Sequence, residues 1–296
     1  MIIIVGSPRS GTSMLGKVLS SFSSVCYVEE PNVIWRYRNW GRLGHEQFSK
    51  FDASEKSKKY IRKFFSRFSG VVVEKTPANA LRLDFVREIF PEAKFIFIYR
   101  RPEDVVYSMK RKWLYEHINE ALTSGKSNKI RQLRIQIKRF FNIPIRDLPY
   151  YSTVIMSELA FHFFKKKRKN WGPQYKGYRT DARIYAEEYI CYKLWTIITE
   201  NMIEAQKTLP KTQCLELSYD NFVSDPESNI GRLKQFCDIE DLAHPKIIQK
   251  EENNRIPMTD WVFEDFDLQG SYEKCLLHLA DLELTLKVKT LGTEEI

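Results

Sequence analysis

The chain has 296 residues, of which 43% are hydrophobic and 14% are aromatic. This composition excludes a disordered chain and predicts one core of substantial size. Lysine and arginine exceed aspartate and glutamate by a formal charge of +9, which suits an anionic partner such as a phosphorylated ligand, an acidic lipid surface or nucleic acid.

Four apolar segments rich in β-branched and aromatic residues predict strands. They comprise residues 1–5, 70–77, 93–101 and 212–219. Apolar residues recur at helical spacing after the first and third segments, and Asp225 and Pro226 give a helix-start signal after the fourth. Continuous apolar strands that alternate with helices are typical of a parallel sheet covered on both faces. We therefore expect an α/β fold of three layers with a central parallel sheet.

The middle of the chain differs from these flanking regions. Residues from about 116 to 205 are helix-like in pattern and strongly basic, and they include the run KKKRK at 165–169. We expect this stretch to form a helical insertion, or a helical layer, within a single domain that spans 1–296. A further helix is predicted at about 271–289.

The segment VGSPRSGTS (5–13) connects the first predicted strand to the first predicted helix. Gly6 and Gly11 have the spacing of a triphosphate-binding loop, which directs backbone N–H groups and a helix N-terminus at an anion. Thr12 stands where such a loop carries its lysine, and Arg9 supplies a positive charge inside the loop instead. We expect the loop to bind a smaller anion, largely through N–H and hydroxyl groups.

Two further segments carry candidate anion-binding residues. Arg100 ends a predicted strand and Ser108 follows about two helical turns later, so a guanidinium and a hydroxyl are available to a phosphate. In the structural alternative to phosphate binding, Arg100 and Arg101 cap nearby carbonyl groups. Lys75 lies at the end of another predicted strand, where α/β sheets bind ligands, and a solvated strand end is the alternative there.

Together, the segments GSPRSGTS (6–13), YRRPEDVVYSM (99–109) and LSYDNFVSDPE (217–227) resemble the sulfotransferase family. That family uses the donor 3′-phosphoadenosine 5′-phosphosulfate (PAPS). The resemblance is closest to the branch of the tyrosylprotein sulfotransferases and many bacterial sulfotransferases, and it covers about the first 110 residues and about 212–240. It implies a P-loop-like nucleotide-binding fold and direct sulfuryl transfer without a metal.

The resemblance also implies a donor site, in a core made of about 1–115 and 210–262, with the acceptor on the side of the insertion. The 5′-phosphosulfate would be held by the loop residues Arg9, Ser10, Gly11, Thr12 and Ser13. The rest of the nucleotide, including its 3′-phosphate, would be held by Arg100, Ser108, Lys112 and Tyr219, under a closing loop at about 253–261 that contains Arg255.

A catalytic base is implied in the segment VEEP (28–31). In related enzymes the glutamate stands seventeen residues after the last hydroxyl of the loop, and counting from Ser13 gives Glu30, with Glu29 as the neighbouring alternative. Because Pro31 follows, we expect an extended backbone at Glu30. Lys75 and Arg9 would neutralise the developing negative charge, although the segment EKTP around Lys75 matches the family loosely.

The acceptor and two rival functions stay open at this point. The acceptor hydroxyl belongs to a saccharide, a sterol or lipid alcohol, a phenol or a peptide tyrosine, and WRYRNWG (35–41) either contacts it or covers the core. A P-loop kinase or NTPase, and a basic nucleic-acid-binding protein, are the alternatives. We expect no nucleic-acid partner, whereas the oligomeric state and a peripheral membrane contact are open.

The cysteines bear on the cellular compartment. Five of them lie far apart without a CxxC pair: Cys26, Cys191, Cys214, Cys237 and Cys275. This spacing argues against a disulfide framework and a zinc site, and it is typical of a reducing cytoplasm. No signal peptide precedes the first strand and no apolar run reaches the roughly 20 residues of a membrane span, so we expect a cytoplasmic protein.

Overall fold

Five parallel strands form one sheet in a computed structural model of the chain, which describes residues 1–122, 172–241 and 262–291. The strands are β1 (Ile2–Val5), β2 (Val25–Glu29), β3 (Val71–Lys75), β4 (Lys94–Tyr99) and β5 (Cys214–Ser218). Their order is β2-β3-β1-β4-β5, which confirms the predicted central parallel sheet. The chain leaves β1 toward one edge and later crosses it toward the other, so the carboxyl end of β1 lies at the switch point where such sheets bind ligands.

Helices cover both faces of this sheet. In chain order they are α1 (Thr12–Ser20), α2 (Asn32–Trp35), α3 (Trp40–Leu43), α4 (Glu55–Phe65), α5 (Leu83–Ile89), α6 (Pro102–Leu122), α7 (Tyr178–Ile184), α8 (Glu187–Thr208), α9 (Tyr219–Ser224), α10 (Pro226–Cys237) and α11 (Phe266–Leu291). Short 3₁₀ turns lie at Lys50–Asp52, Pro77–Leu81 and Lys211–Gln213. None of the described helices has the length and apolarity that crossing a membrane requires.

The two faces of the sheet enter separate hydrophobic cores. Along β1, Ile3 and Val5 pack into one core with α4, α5, α6, α8 and α11, while Ile2 and Ile4 pack into the other with α1, α9 and α10. Because both faces are buried, β1 has no polar face, and its sequence is a continuous apolar run. Each such fully buried side chain contributes roughly 1.5–3 kcal/mol of transfer free energy.

One element was not predicted, and two others bear on the expected insertion or helical layer. The edge strand β2 was not predicted, and its apolar run, Val25 to Val28, is only four residues long, the lower limit for a strand signal. Helix α6 continues to Leu122, past the predicted boundary near 115. Helix α8 lies within the segment expected to form an insertion or a layer, and it buries Trp195 and Ile198 in the larger core, as a layer does.

Candidate functional site

The loop between β1 and α1 is shaped by its two glycines. Gly11 precedes α1 with φ 102°, and a Cβ there would lie 2.6 Å from Cδ2 of Tyr219. A Cβ at Gly6 would lie 2.5 Å from Oγ of Ser10. Both positions therefore exclude a side chain, and the backbone turns tightly from the end of β1 into the N-terminus of α1.

Polar groups of this loop are arranged as an anion site would need them. The hydroxyl oxygens of Ser7 and Ser10 are buried and have no hydrogen-bond partner among the described residues. The first turn of α1 contains no acidic side chain that would neutralise the positive end of the helix. Arg9 adopts φ 72°, a left-handed conformation that costs a non-glycine residue about 1 kcal/mol or more. Such buried, unsatisfied hydroxyls beside a helix N-terminus fit a bound phosphate or sulfate group.

A second cluster joins this loop to β4, α6 and α9. The Nε–H of Arg9 donates to Oγ of Ser108 at 3.0 Å, and Nη1 of Arg100 donates to the backbone oxygen of Arg9 at 3.1 Å. The guanidinium of Arg100 stacks on the ring of Tyr219 at 4.1 Å. The fold thus brings together four of the predicted donor-site residues that lie far apart in the sequence.

The proposed base and the strand lysine form an ion pair at the ends of β2 and β3. Lys75 is 1% exposed, so it is buried rather than a solvated strand end. Its Nζ lies 2.6 Å from Oε1 of Glu30 and 3.3 Å from Oε1 of Glu29, both of which are about half exposed. The register of the parallel pair places Glu29 opposite Lys75, and the β2–β3 pairing thereby brings both carboxylates to this lysine.

The extended backbone expected at Glu30 is wrong. Glu30 has φ 51°, in the left-handed region. Its N–H donates to the backbone oxygen of Lys75 at 2.8 Å, and the N–H of Asn32 donates to the oxygen of Glu30 at 2.7 Å. These hydrogen bonds turn the chain from β2 into α2, and they outweigh the local preference of a residue that precedes Pro31.

A cleft of about 280 Å³ opens beside the loop at the carboxyl end of the sheet. Five of the predicted site residues line it: Arg9, Thr12, Ser13, Glu30 and Lys112. The loop and the carboxylate of Glu30 therefore face the same cavity, as a donor and a base must. Lys75 lies buried behind Glu30 and is not part of the lining.

The remaining predicted residues lie elsewhere. Ser10 and Gly11 are inside the loop, and Arg100, Ser108 and Tyr219 flank it in the second cluster. Arg255 and the predicted closing loop at 253–261 lie outside the described residues.

Sequence reasoning missed a polar wall of the cleft. Asn32, Arg36 and Glu46 line the cavity on the side of Glu30. Oε1 of Glu46 accepts from Nδ2 of Asn32 at 2.7 Å and from Nε of Arg36 at 2.9 Å. Burial alone would raise the pKa of Glu46, but the guanidinium groups of Arg36 and Arg82 outweigh it and lower that pKa. The basic–aromatic segment at 35–41 was a partial signal for Arg36, whereas nothing in the sequence marks Glu46.

A second buried carboxyl group, Glu74, lies beneath this wall. It is fully buried on β3 and accepts hydrogen bonds from Nε1 of Trp35 at 3.1 Å, from Nδ2 of Asn79 at 2.9 Å and from the hydroxyl of Thr76. Burial raises the pKa of Glu74 to about 7, even though these hydrogen bonds favour the ionised form. The floor of the site thus contains a carboxyl group that titrates near neutral pH.

Comparison with known proteins gives a family match. Residues 2–154 and 145–243 match the model of a family described as the sulfotransferase family. A curated relative, nodulation protein NoeE of Sinorhizobium fredii, is 24% identical over 136 residues, which cover 40% of this chain and 32% of the relative. The chain therefore matches about a third of the length of that relative.

Two solved structures are similar along most of the chain. The sulfotransferase domain from the curacin biosynthetic pathway has 13% identity and a TM-score of 0.48, with 95% of this chain and 97% of that domain covered. The sulfotransferase from Alicyclobacillus acidocaldarius has 12% identity and a TM-score of 0.49, with 95% of this chain and 94% of that protein covered.

Proposed function

Since the chain belongs to the sulfotransferase family, we propose that it transfers a sulfuryl group from PAPS to a hydroxyl group of a small acceptor. The observation that carries the proposal is the cleft that the anion-binding loop and Glu30 share. A donor anion at the loop and an acceptor beside Glu30 would lie next to each other there, which converts a bimolecular encounter into an oriented one.

Donor binding is assigned to the loop and to the second cluster. The loop N–H groups, the hydroxyls of Ser10, Thr12 and Ser13, and the guanidinium of Arg9 would hold the 5′-phosphosulfate. When bound, PAPS supplies the sulfuryl group and leaves as 3′-phosphoadenosine 5′-phosphate (PAP). Other groups are assigned to the remainder of the nucleotide, namely Arg100, Ser108, Lys112 and Tyr219.

The acceptor is activated by Glu30. Its carboxylate lines the cleft and is about half exposed, so it is available to take the hydroxyl proton. As the acceptor oxygen forms its bond to sulfur, the bond between sulfur and the bridging phosphate oxygen breaks in line. The proton remains on Glu30, and no covalent enzyme intermediate is needed.

Lys75 and Arg9 are assigned to charge neutralisation. Nζ of Lys75 is held by the carboxylates of Glu30 and Glu29, so its position is coupled to the charge of the base. When Glu30 accepts the proton, Lys75 keeps Glu29 as its one ionised partner, and its less fully compensated ammonium charge offsets, from behind Glu30, the negative charge that develops in the cleft. Arg9, at the loop, shares this role.

The proposal is tested by mixing the protein with PAPS labelled in its sulfate group and a panel of hydroxyl acceptors. We expect labelled acceptor and PAP as products, and tighter binding of PAP than of ATP. A preference for ATP together with magnesium dependence would instead favour a P-loop NTPase. All five cysteines are free thiols. That the protein acts in a reducing cytoplasm stays a prediction, with which free thiols are in keeping.

A further inference from the structure

We propose that the polar wall formed by Asn32 and Arg36 is an acceptor subsite that takes the hydroxyl groups of a neutral saccharide, and that Glu46 positions it. The inference rests on the proposed sulfuryl transfer, because the wall is called an acceptor subsite by virtue of its place beside Glu30. It selects one acceptor class from those that the sequence leaves open.

The guanidinium of Arg36 is fixed in place and still has donors to offer. Oε1 of Glu46 accepts a hydrogen bond from Nε of Arg36 at 2.9 Å and lies 2.8 Å from Nη2 of Arg36. The guanidinium of Arg36 also lies over the ring of Trp40, at 4.1 Å from the ring centroid. A guanidinium has five N–H groups, and among the described residues Glu46 is the one that accepts hydrogen bonds from it. Arg36 therefore presents further N–H groups to the cleft that it lines, where hydroxyl oxygens would accept them.

Glu46 holds the two sides of this wall together. Its side chain is 1% exposed and binds both Asn32 and Arg36 through Oε1. Its Oε2 accepts from the N–H of Gln174 at 3.0 Å, and its own N–H donates to the backbone oxygen of Gln174 at 2.7 Å. The residues just before Gln174, Gly172 and Pro173, complete the lining of the cleft. Glu46 does not contact the reacting atoms in this arrangement, so it is a positioning residue.

The charges on this side of the cleft favour a neutral acceptor. Arg36, Arg82 and Lys75 are matched there by Glu29, Glu30 and Glu46. On the donor side, the described cations include Arg9, Arg100 and Lys112, and the carboxylate nearest Arg100 is Asp104 at 4.0 Å. Because these charges balance, this side of the cleft offers no net positive charge to an acceptor that carries its own carboxylate or sulfate.

The described lining also disfavours the apolar acceptor classes. Its apolar contribution comes from small or rigid side chains such as Pro77, Ala78 and Pro173, and no aromatic ring is among the described lining residues. A sterol requires a broad apolar wall, and a phenol gains most from aromatic contacts. A saccharide hydroxyl cluster instead matches the N–H donors of Arg36 and the side-chain amide of Asn32, whose Oδ1 accepts from Nη2 of Arg82 at 2.7 Å and whose Nδ2 donates to Glu46.

The first experiment compares acceptor classes with the full chain and labelled PAPS. The panel contains neutral oligosaccharides, oligosaccharides with uronic acids, simple phenols and a sterol, and PAP binding is measured in parallel. We expect the neutral oligosaccharides to give the highest kcat/KM. Preferential labelling of uronates, phenols or sterols, or no labelling of any saccharide, would overturn the inference. If PAP does not bind and no class is labelled, the proposed function itself fails.

The second experiment uses variants of the wall. Arg36→Ala should raise the saccharide KM by about tenfold to a hundredfold, as expected for losing one charged hydrogen-bond donor, with PAP affinity unchanged. Glu46→Gln should raise KM in the same direction and leave kcat nearly unchanged, whereas simple unfolding would lower both kcat and PAP binding. Lys59→Ala, at an exposed cation of α4 away from the cleft, is the matched control and should change neither parameter. An unchanged KM in a folded Arg36→Ala or Arg36→Lys protein would contradict the subsite.

Discussion

Gly11→Ala tests whether the loop geometry creates the donor site. Alanine at φ 102° lies outside the conformations that L-residues tolerate, at a cost of about 1–2 kcal/mol. Its Cβ would also lie 2.6 Å from Cδ2 of Tyr219, so the ring must move from its stack on Arg100, which is worth roughly 0.5–1 kcal/mol. Together the change destabilises the folded protein by about 2 kcal/mol, which for a chain of 296 residues lowers Tm by roughly 3 °C.

The same displacement should weaken donor binding. Because Arg100 donates to the backbone of Arg9, moving the ring of Tyr219 disturbs both parts of the donor site. We expect the Kd for PAP, measured by calorimetry, to rise by about tenfold, equivalent to about 1.4 kcal/mol. Gly231→Ala is the matched control, because the Cβ that alanine adds there meets no atom within 4 Å outside its own helix backbone among the described residues. Helix α10 should gain about 0.5–1 kcal/mol of stability. A Gly11→Ala protein with wild-type Tm and wild-type PAP affinity would refute the reasoning.

Two further predictions concern the floor of the site. Lys75→Met should retain PAP binding and lower kcat by about a hundredfold to a thousandfold. The change removes the cation assigned to charge neutralisation, while Glu30 and Glu29 stay solvated. A single-turnover rate equal to that of the wild type would contradict this role. Burial raises the folded-state pKa of Glu74 from 4.5 to about 7, so its contribution to stability is present below pH 4.5 and is lost as pH rises through about 7. The free energy of unfolding in urea should therefore fall by about 2 kcal/mol between pH 5.5 and pH 8.5 because of Glu74. In Glu74→Gln this fall should be absent, so its stability should depend less on pH over that range. Identical pH profiles of stability for the two proteins would contradict the raised pKa.

The sequence was sufficient for the central part of the fold. Strands β1, β3 and β4 are mostly buried and their apolar runs predicted them, and β5 was also predicted although it is an edge strand with three half-buried residues. Strand β2, at the other edge, pairs with β3 alone, and its apolar run (Val25 to Val28) is only four residues long, the lower limit for a strand signal. The family resemblance, which rested on three separated segments, is confirmed by the family match.

The site was predictable where residues lie next to each other in sequence and not where the fold brings them together. The loop followed from motif spacing and Glu30 from the family resemblance; Arg9, Thr12, Ser13 and Glu30 line one cleft, and their roles stay predictions. The burial of Lys75 and the left-handed backbone of Glu30 depend on β2–β3 pairing, which local preferences do not encode. Glu46 reaches the cleft only through tertiary hydrogen bonds to Asn32, Arg36 and Gln174.

The central claim is that Glu30 removes the proton of the acceptor while sulfuryl transfer proceeds. Its most direct test is the single-turnover rate of sulfate transfer from labelled PAPS by Glu30→Gln, beside Glu29→Gln as the neighbouring control. We predict a rate about a hundredfold to ten-thousandfold below wild type for Glu30→Gln with unchanged PAP affinity, and a much smaller loss for Glu29→Gln. A Glu30→Gln protein that transfers sulfate at the wild-type rate would contradict the account.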